Sequence, residues 1–453
     1  MTTFDRRSLL RAALGGLCAA PLAATSSPFQ TLARAVGRAS AASGPPNKVL
    51  FVFLRGGLDG VHAVVPVADP TYLTVRTVGT TPLVPRSATL PLNAFAALHQ
   101  IMAPLHSGPW SAGELALIHQ VGNPAGARSH FAEMTRLESG DPTSSAMQNV
   151  EGWVPNLVAA AGITSPVGGA TISSQVQRLF QSSALPMLHA RDVVRFQGSS
   201  LNPQLQRHLS QTPGVGAPAA EFAVDAIGDR MVAAQAIVTA APSFAQAHDP
   251  TLFPWAPGDV LPWVPGPRAP LQRRFLQDLE GAMHLLVHTD CRIAGVELGA
   301  FDTHDDQVAE LEPLLQVLAF GMNSVWLTAQ LQGVALTQLA MSEFGRSAAA
   351  NGNAGTDHGL GGLMIACGNR VRGGVYNCAA AASGRFGAAW PSLGGQLALP
   401  TNHVAWNAIP VATNYLVVFR EMIEKLFGIV NPGASIIPGL GAPGLGANLS
   451  FLF

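Results

Sequence analysis

The chain has almost no lysine. Only Lys48 and Lys425 occur in 453 residues, so nearly all of its 26 cations are arginine. This excludes a Walker loop, whose phosphate-cradling glycines end in Gly-Lys. Charge of any kind is sparse, at 12% of residues, and the formal net charge is −1 with no basic run. Clustered cations that neutralise phosphates are absent, so no nucleic-acid partner is expected. Cysteine is nearly as scarce. Beyond Cys18 in the N-terminal segment there are Cys291, Cys367 and Cys378, an odd set that makes no disulfide framework. Cys367 and Cys378 could pair across a short loop; inert buried thiols are the alternative. No transmembrane helix is expected either. The apolar run Ala12 to Ala24 has 13 residues, and a bilayer needs ~20.

What is present begins with an export signal. Residues 5–11, DRRSLLR, stand ahead of that short apolar run, and Ala39-Ser40-Ala41 follows as a cleavage site. The pattern is a twin-arginine signal over residues 1–41, with a linker over 42–47. Its partner is the twin-arginine export machinery, and the mature chain is expected to be periplasmic or secreted. Cleavage removes five Arg and one Asp, taking the net charge from −1 to near −5.

The remainder is 48% hydrophobic overall, enough for a sizeable core. Lys48 to Leu54 (KVLFVFL) and Leu115 to Val121 (LALIHQV) are continuous apolar runs bounded by glycine. They read as strands buried on both faces, as in a parallel sheet. Ile293 to Leu298 and Leu336 to Met341 read likewise. Helical patterns begin near Ser129, cover Glu221 to Val238 and Leu271 to Thr289, run from Leu314 to Leu331 behind Pro313, and close with Asn414 to Phe427 before Gly428. Residues 165–270 read as a helical and Pro-rich insertion, and 431–453 as an extended Gly/Pro-rich tail. Alternating strands and helices, with polar motifs after strand ends, define an α/β fold with a mostly parallel sheet.

Those polar motifs carry the chemistry. FDTHDDQ (301–307) follows a strand, and Asp302 and His304, two apart in extended backbone, point the same way. SEFGR (342–346) ends another strand; Glu343 is a candidate ligand or base and Arg346 a candidate for holding an anionic substrate, unless the two pair with each other. GTDHG (355–359) sets Asp357 and His358 side by side between glycines that let both converge on one ion. LRGGLDG (54–60) offers Asp59 as a further ligand and the Gly56 and Gly57 amides for an oxyanion. ARSHF (127–131) puts Ser129 at a helix start, as an N-cap or a nucleophile. His119 and His130 flank it as secondary ligand candidates, and His403 could close a metal shell. Carboxylates with imidazoles suit a divalent metal, zinc or magnesium, calcium or manganese.

In order and spacing, LRGGLDG, GNP then RSHF, DTHDDQ, SEFGR with Asn351, GTDHG and RGGVY resemble the twin-arginine-exported proteins of domain-of-unknown-function family 1501. That resemblance spans roughly residues 48–430. It implies kinship with the alkaline phosphatase and sulfatase superfamily, a three-layer α/β/α sandwich holding one or two metals, and so a metal-dependent hydrolase of phosphate or related esters. Formylglycine sulfatase activity is disfavoured, because neither Cys291-Arg292 nor Cys367-Gly368 lies in a C/S-x-P-x-R string. On this reading Asp59, Asp302, His304, Asp357 and His358 hold metal, while Ser129, Glu343 and Arg346 do chemistry on a small anionic ester. A secreted binding or assembly protein on the same fold is the alternative.

Overall fold

The computed structural model describes residues 46–145, 150–183, 185, 187–191, 193, 219–253, 269–379, 390, 391, 393 and 407–453. The export signal, His403 and the Pro-rich stretch 254–268 lie outside them.

One nine-stranded sheet organises the chain. Its strands are β1 (Lys48–Leu54), β2 (Leu115–Gly122), β3 (Gly169–Ile172), β4 (Leu188–Ala190), β5 (Ile293–Leu298), β6 (Leu336–Met341), β7 (Gly362–Gly368), β8 (Gly374–Tyr376) and β9 (Thr413–Asn414). They lie in the order β8-β2-β7-β6-β1-β5-β3-β4, with β9 also on β2. β1 is central, paired in parallel with β5 (Val49 opposite Ile293) and with β6 (Lys48 opposite Leu336). β7 alone runs against its neighbours, antiparallel to both β6 and β2.

Every residue of β1 is buried, and the two-residue repeat of a strand sends alternate side chains to opposite faces. Leu50, Val52 and Leu54 join one core cluster, and Val49, Phe51 and Phe53 join another. Helices cover both faces. They are α1 (His130–Ser139), α2 (Val154–Ala160), α3 (Ala219–Ala240), α4 (Ala269–His288), α5 (Gln307–Gln332) and α6 (Tyr415–Phe427). Phe275 and Leu279 of α4 and Leu314 and Met322 of α5 pack in the first cluster. Leu157 of α2 and Tyr415, Phe419 and Met422 of α6 pack in the second, with Trp153 edge-on to Phe51 at 5.6 Å. The class expected from the sequence, α/β with a mostly parallel central sheet, is the class observed.

Three segments differ from their sequence reading. Residues 165–270 are not simply an insertion, since β3 and β4 extend the main sheet. α5 starts at Gln307, seven residues before the expected start, with Pro313 inside it; Asp306 is its N-cap and Gln307, Glu310 and Glu312 interrupt the apolar periodicity of its first turns. By length and composition α5 could cross a membrane, but most of it is buried, and it packs along α4 as a core helix. The tail, read as extended, includes a helical turn at Pro438–Gly441 and packs on the fold: Ile437, Phe451 and Leu452 are buried, and Phe453 N donates to Arg370 O at 3.0 Å. Cys291, Cys367 and Cys378 are free and buried. Burial pushes the Cys291 thiol up to about 12, so it stays protonated and unreactive.

Candidate metal centre

The parallel strands deliver their following loops to one edge of the sheet. LRGGLDG leaves β1 there, ARSHF lies between β2 and α1, FDTHDDQ follows β5, and SEFGR follows β6. The reversed direction of β7 brings GTDHG to the same edge, because this motif precedes β7 and does not follow it.

Four side chains from three of these loops converge. His358 Nε2 lies 3.0 Å from His130 Nε2, 3.0 Å from His304 Nε2 and 3.1 Å from Asp302 Oδ1. His304 Nε2 is 3.0 Å from the same Oδ1, and His130 Nε2 is 3.3 Å from Asp302 Oδ2. Ligands about 2.0–2.1 Å from a tetrahedral ion stand about 3.3 Å apart; the ligand atoms of His130, Asp302 and His358 all lie within 4.8 Å of one another, a group that could hold an ion, and His304 adjoins it through His358 and Asp302.

The outer ring nitrogens decide what the inner ones can do. His130 Nδ1 faces Glu343 Oε1 at 2.7 Å, and His358 Nδ1 faces the Arg128 carbonyl at 3.0 Å. His304 Nδ1 faces Asp357 Oδ1 at 3.4 Å. A carbonyl or carboxylate oxygen can only accept, so each Nδ1 carries the hydrogen and each neutral ring turns a lone pair inward from Nε2. One shared proton can join two such nitrogens but cannot satisfy three. A cation can, and an outer oxygen on each Nδ1 is the arrangement that orients metal-binding histidines. Three imidazoles with one carboxylate fit a nitrogen-tolerant ion such as zinc better than magnesium or calcium, which take oxygen shells.

The charges around the cluster are uneven. The Glu343 hydrogen bond lifts His130 above its ordinary value. Burial depresses His358, reinforced by the charges of His130 and Arg346. Burial would raise Asp302, but the hydrogen bond and charge of Arg346 outweigh it and hold the carboxyl low.

Several expected roles are redistributed. Asp59 stands apart: its Oδ1 accepts from Val61 N and His62 N, and its Oδ2 takes Arg76 and Gln307. With all lone pairs directed elsewhere and 1% exposure, it has nothing to offer an ion at the cluster. Arg346 is fully buried, donating to Asp302 Oδ1 at 2.6 Å, to Gly56 O, and to both Oγ1 and O of Thr356. It steadies Asp302, and its side chain has no exposed surface to offer a substrate. Glu343 neither pairs with Arg346 nor faces the opening; it accepts from His130 Nδ1 and Gly56 N. Asp357 supports His304 from outside, with 60% of its side chain exposed. The glycine-loop amides are occupied too, Gly56 N by Glu343 and Gly57 N by Ser342 Oγ. Ser129 is the N-cap of α1 yet makes no side-chain cap bond. His119 is buried away from the cluster against Trp390, and burial depresses it to about 4.

His130 is the ligand candidate that sequence reading ranked too low. The available signal was its place as the first helical residue after a strand and tight loop, the same kind of position that favours Ser129.

A second group, His62, His99 and Glu312, also lies within metal-binding reach, but its ring nitrogens are arranged the other way. His99 Nδ1 accepts from Ile101 N at 3.1 Å, and His62 Nδ1 lies 3.1 Å from the Gln307 amide nitrogen, a donor. Both rings therefore present N–H, not lone pairs, toward Glu312 Oε1, at 3.2 Å and 3.8 Å. Their planes are within 15° of parallel, so one ion could not lie in both. This is a carboxylate held by one imidazole donor, His99, with His62 Nε2 beyond hydrogen-bond distance at 3.8 Å.

The fold and the cluster thus define an α/β protein with a histidine–carboxylate group at the sheet edge. Residues 274–385, which contain Asp302, His304, Glu343, Arg346, Asp357 and His358, match the model of the protein family of unknown function DUF1501. This bears out the family resemblance carried by the motifs. No curated protein and no solved structure matches the chain.

Proposed function

We propose that this protein is an exported, metal-dependent hydrolase of phosphate or related esters, on an alkaline-phosphatase-like sandwich. The observation that carries the metal is the convergence of the His130 and His358 lone pairs with the Asp302 carboxylate, with His304 Nε2 against His358 and Asp302. His130, Asp302, His304 and His358 would hold one divalent ion, zinc in preference to magnesium or calcium. When bound, the ion would supply positive charge to polarise the ester's phosphoryl oxygen. Asp302 is kept ionised by Arg346, and Glu343, Asp357 and the Arg128 carbonyl hold the three rings. Ser129, beside His130 and without a cap bond, is the hydroxyl assigned to nucleophilic attack.

The test has two readouts. Purified full-length protein should take up one zinc per chain, and cobalt in its place should give the visible band of a four-coordinate site. Zinc-loaded protein should hydrolyse a generic aryl phosphate, and Ser129→Ala should abolish that turnover while leaving the folded state and zinc content intact. A Ser129→Ala protein that turns over like the parent would assign attack to water. No zinc uptake would sink the reading altogether.

A second reading is favoured by one specific observation: Arg346 and the Gly56 and Gly57 amides, the natural donors to an oxyanion, are already engaged. A secreted binding or assembly protein with a structural metal would look like this. Zinc uptake with no turnover on any phosphate or sulfate ester would select it. For export, Arg6→Lys with Arg7→Lys should leave precursor in the cytoplasm; unchanged export would redirect the chain to the general secretory route.

A further inference from the structure

Beneath the cluster lies a buried polar network with one residue at its centre. Gln307 is wholly buried. Its Oε1 accepts from Thr356 Oγ1 at 2.6 Å and from Thr303 Oγ1 at 3.2 Å. Its Nε2 donates to Asp59 Oδ2 at 2.7 Å and lies 3.1 Å from His62 Nδ1. The amide cannot be turned over: the Asp59 carboxylate accepts only, which fixes Nε2 on that side and Oε1 on the other.

The partners of Oε1 matter most. Thr303 stands between Asp302 and His304. Thr356 is two residues before His358, and its hydroxyl also receives Arg346 Nε at 3.3 Å, while Arg346 Nη1 holds Asp302. This carbonyl oxygen thus ties the side chains of the loop after β5 to those of the loop before β7, beside the backbone bond from Thr356 N to Thr303 O at 3.1 Å. The amide nitrogen anchors both to Asp59, which Arg76 clamps in turn. Asp59 and Gln307 thereby acquire a shared purpose that neither motif disclosed separately.

We propose that Gln307 is a positioning residue for the metal shell: it sets Asp302 and His304 at the correct distance from His358 by bridging Thr303 and Thr356. The inference rests on the metal reading above. Groups behind metal ligands typically change affinity by 10–100-fold when removed.

The experiment measures zinc affinity of the full chain by competition with a chelator, together with the cobalt spectrum. Gln307→Leu should weaken zinc by about tenfold or more and shift the cobalt band, while near-ultraviolet circular dichroism stays that of the parent. Because Gln307→Leu also strips Asp59 of a partner and could unfold the protein, a second variant carries the test independently. Thr303→Val with Thr356→Val severs the bridge and leaves Gln307 on Asp59; it should weaken zinc to a similar degree. Adding Gln307→Leu to that pair should cost little more affinity, since the bridge is already cut. Zinc affinity within twofold of the parent in the folded double threonine variant overturns the proposal. A parent that binds no zinc overturns the metal reading first, and this inference with it.

Discussion

Glu343 has no exposed side-chain surface and touches the cluster only through His130 Nδ1. Its contribution should therefore depend on accepting that hydrogen and not on its charge as a ligand. Glu343→Ala should weaken zinc by about 10–100-fold, whereas Glu343→Gln, which keeps an acceptor oxygen in place, should restore most of the affinity; chelator competition measures both. Equal losses in the two variants would mean that the negative charge itself is required. Asp59 illustrates a different residue-scale constraint. Burial would raise its carboxyl, but the charge and hydrogen bond of Arg76 prevail and hold it at about 2, below the ordinary 3.8. Its stabilising contribution is complete above pH 4 and is lost as pH falls through 2. Urea unfolding between pH 5 and pH 2 should show that decline, and Asp59→Asn should remove this part of it. The same change leaves Arg76 buried without its carboxylate, at a cost of about 3–5 kcal/mol. Sequence alone exposed the residue types at this site but not their depth. An Asp in a glycine loop looks the same whether it faces an ion or an arginine 17 positions later, and only the fold brings Arg76 to it.

At the scale of elements, the loops carrying the proposed ligands are held in uncommon backbone. Arg128 (φ 53°), Ala300 (φ 74°), Asp306 (φ 38°) and Ala354 (φ 59°) all adopt the left-handed region without being glycine. They flank each of the three ligand-bearing loops, and strain of this kind gathers where function constrains the chain. At Arg128 the consequence is visible: the carbonyl of this residue accepts from His358 Nδ1. Gly56 has φ 118°, and a Cβ there would collide with the backbone of Asp302, so glycine is needed for the first loop to lie against the second. Ala300→Gly should relieve its strain and raise stability by up to about 1 kcal/mol in denaturant unfolding, with zinc affinity unchanged. A loss of stability would show that Ala300 is not strained. Strands β1, β5 and β6 were legible to the residue because each is a short, largely apolar run that ends just before a polar motif. β7 was not, since GLMIACG carries two glycines and follows a glycine-rich loop, which masks a strand. The helix start at Gln307 was hidden because its first residue is polar and engaged in the network beneath the site, and Pro313 lies inside the helix.

For the whole molecule, a metal bound at the proposed site would be linked to the fold by mass action. The proposed ligands come from loops after β2, after β5 and before β7, so unfolding disperses them and the unfolded chain offers little competing affinity. Free zinc at 1,000 times its dissociation constant should stabilise the protein by about 4 kcal/mol. Thermal unfolding with zinc and with excess chelator measures this, and coincident transitions would deny the linkage. The antiparallel course of β7 has one more consequence. Because β6 and β7 are neighbours running in opposite directions, residues 342–361 leave the sheet and re-enter it at the same edge, with no helix needed to carry the chain back. Both ends of this stretch are pinned, at Glu343 and Arg346 on one side and at His358 on the other, while Gly352 and Asn353 between them are exposed. Lengthening the middle alters no strand pairing, and each doubling of such a loop costs only about 0.6 kcal/mol in closure. The rim of the site can thus be rewritten in related chains, or by grafting, while the ligands stay fixed: what the opening admits can change independently of what lies at its floor.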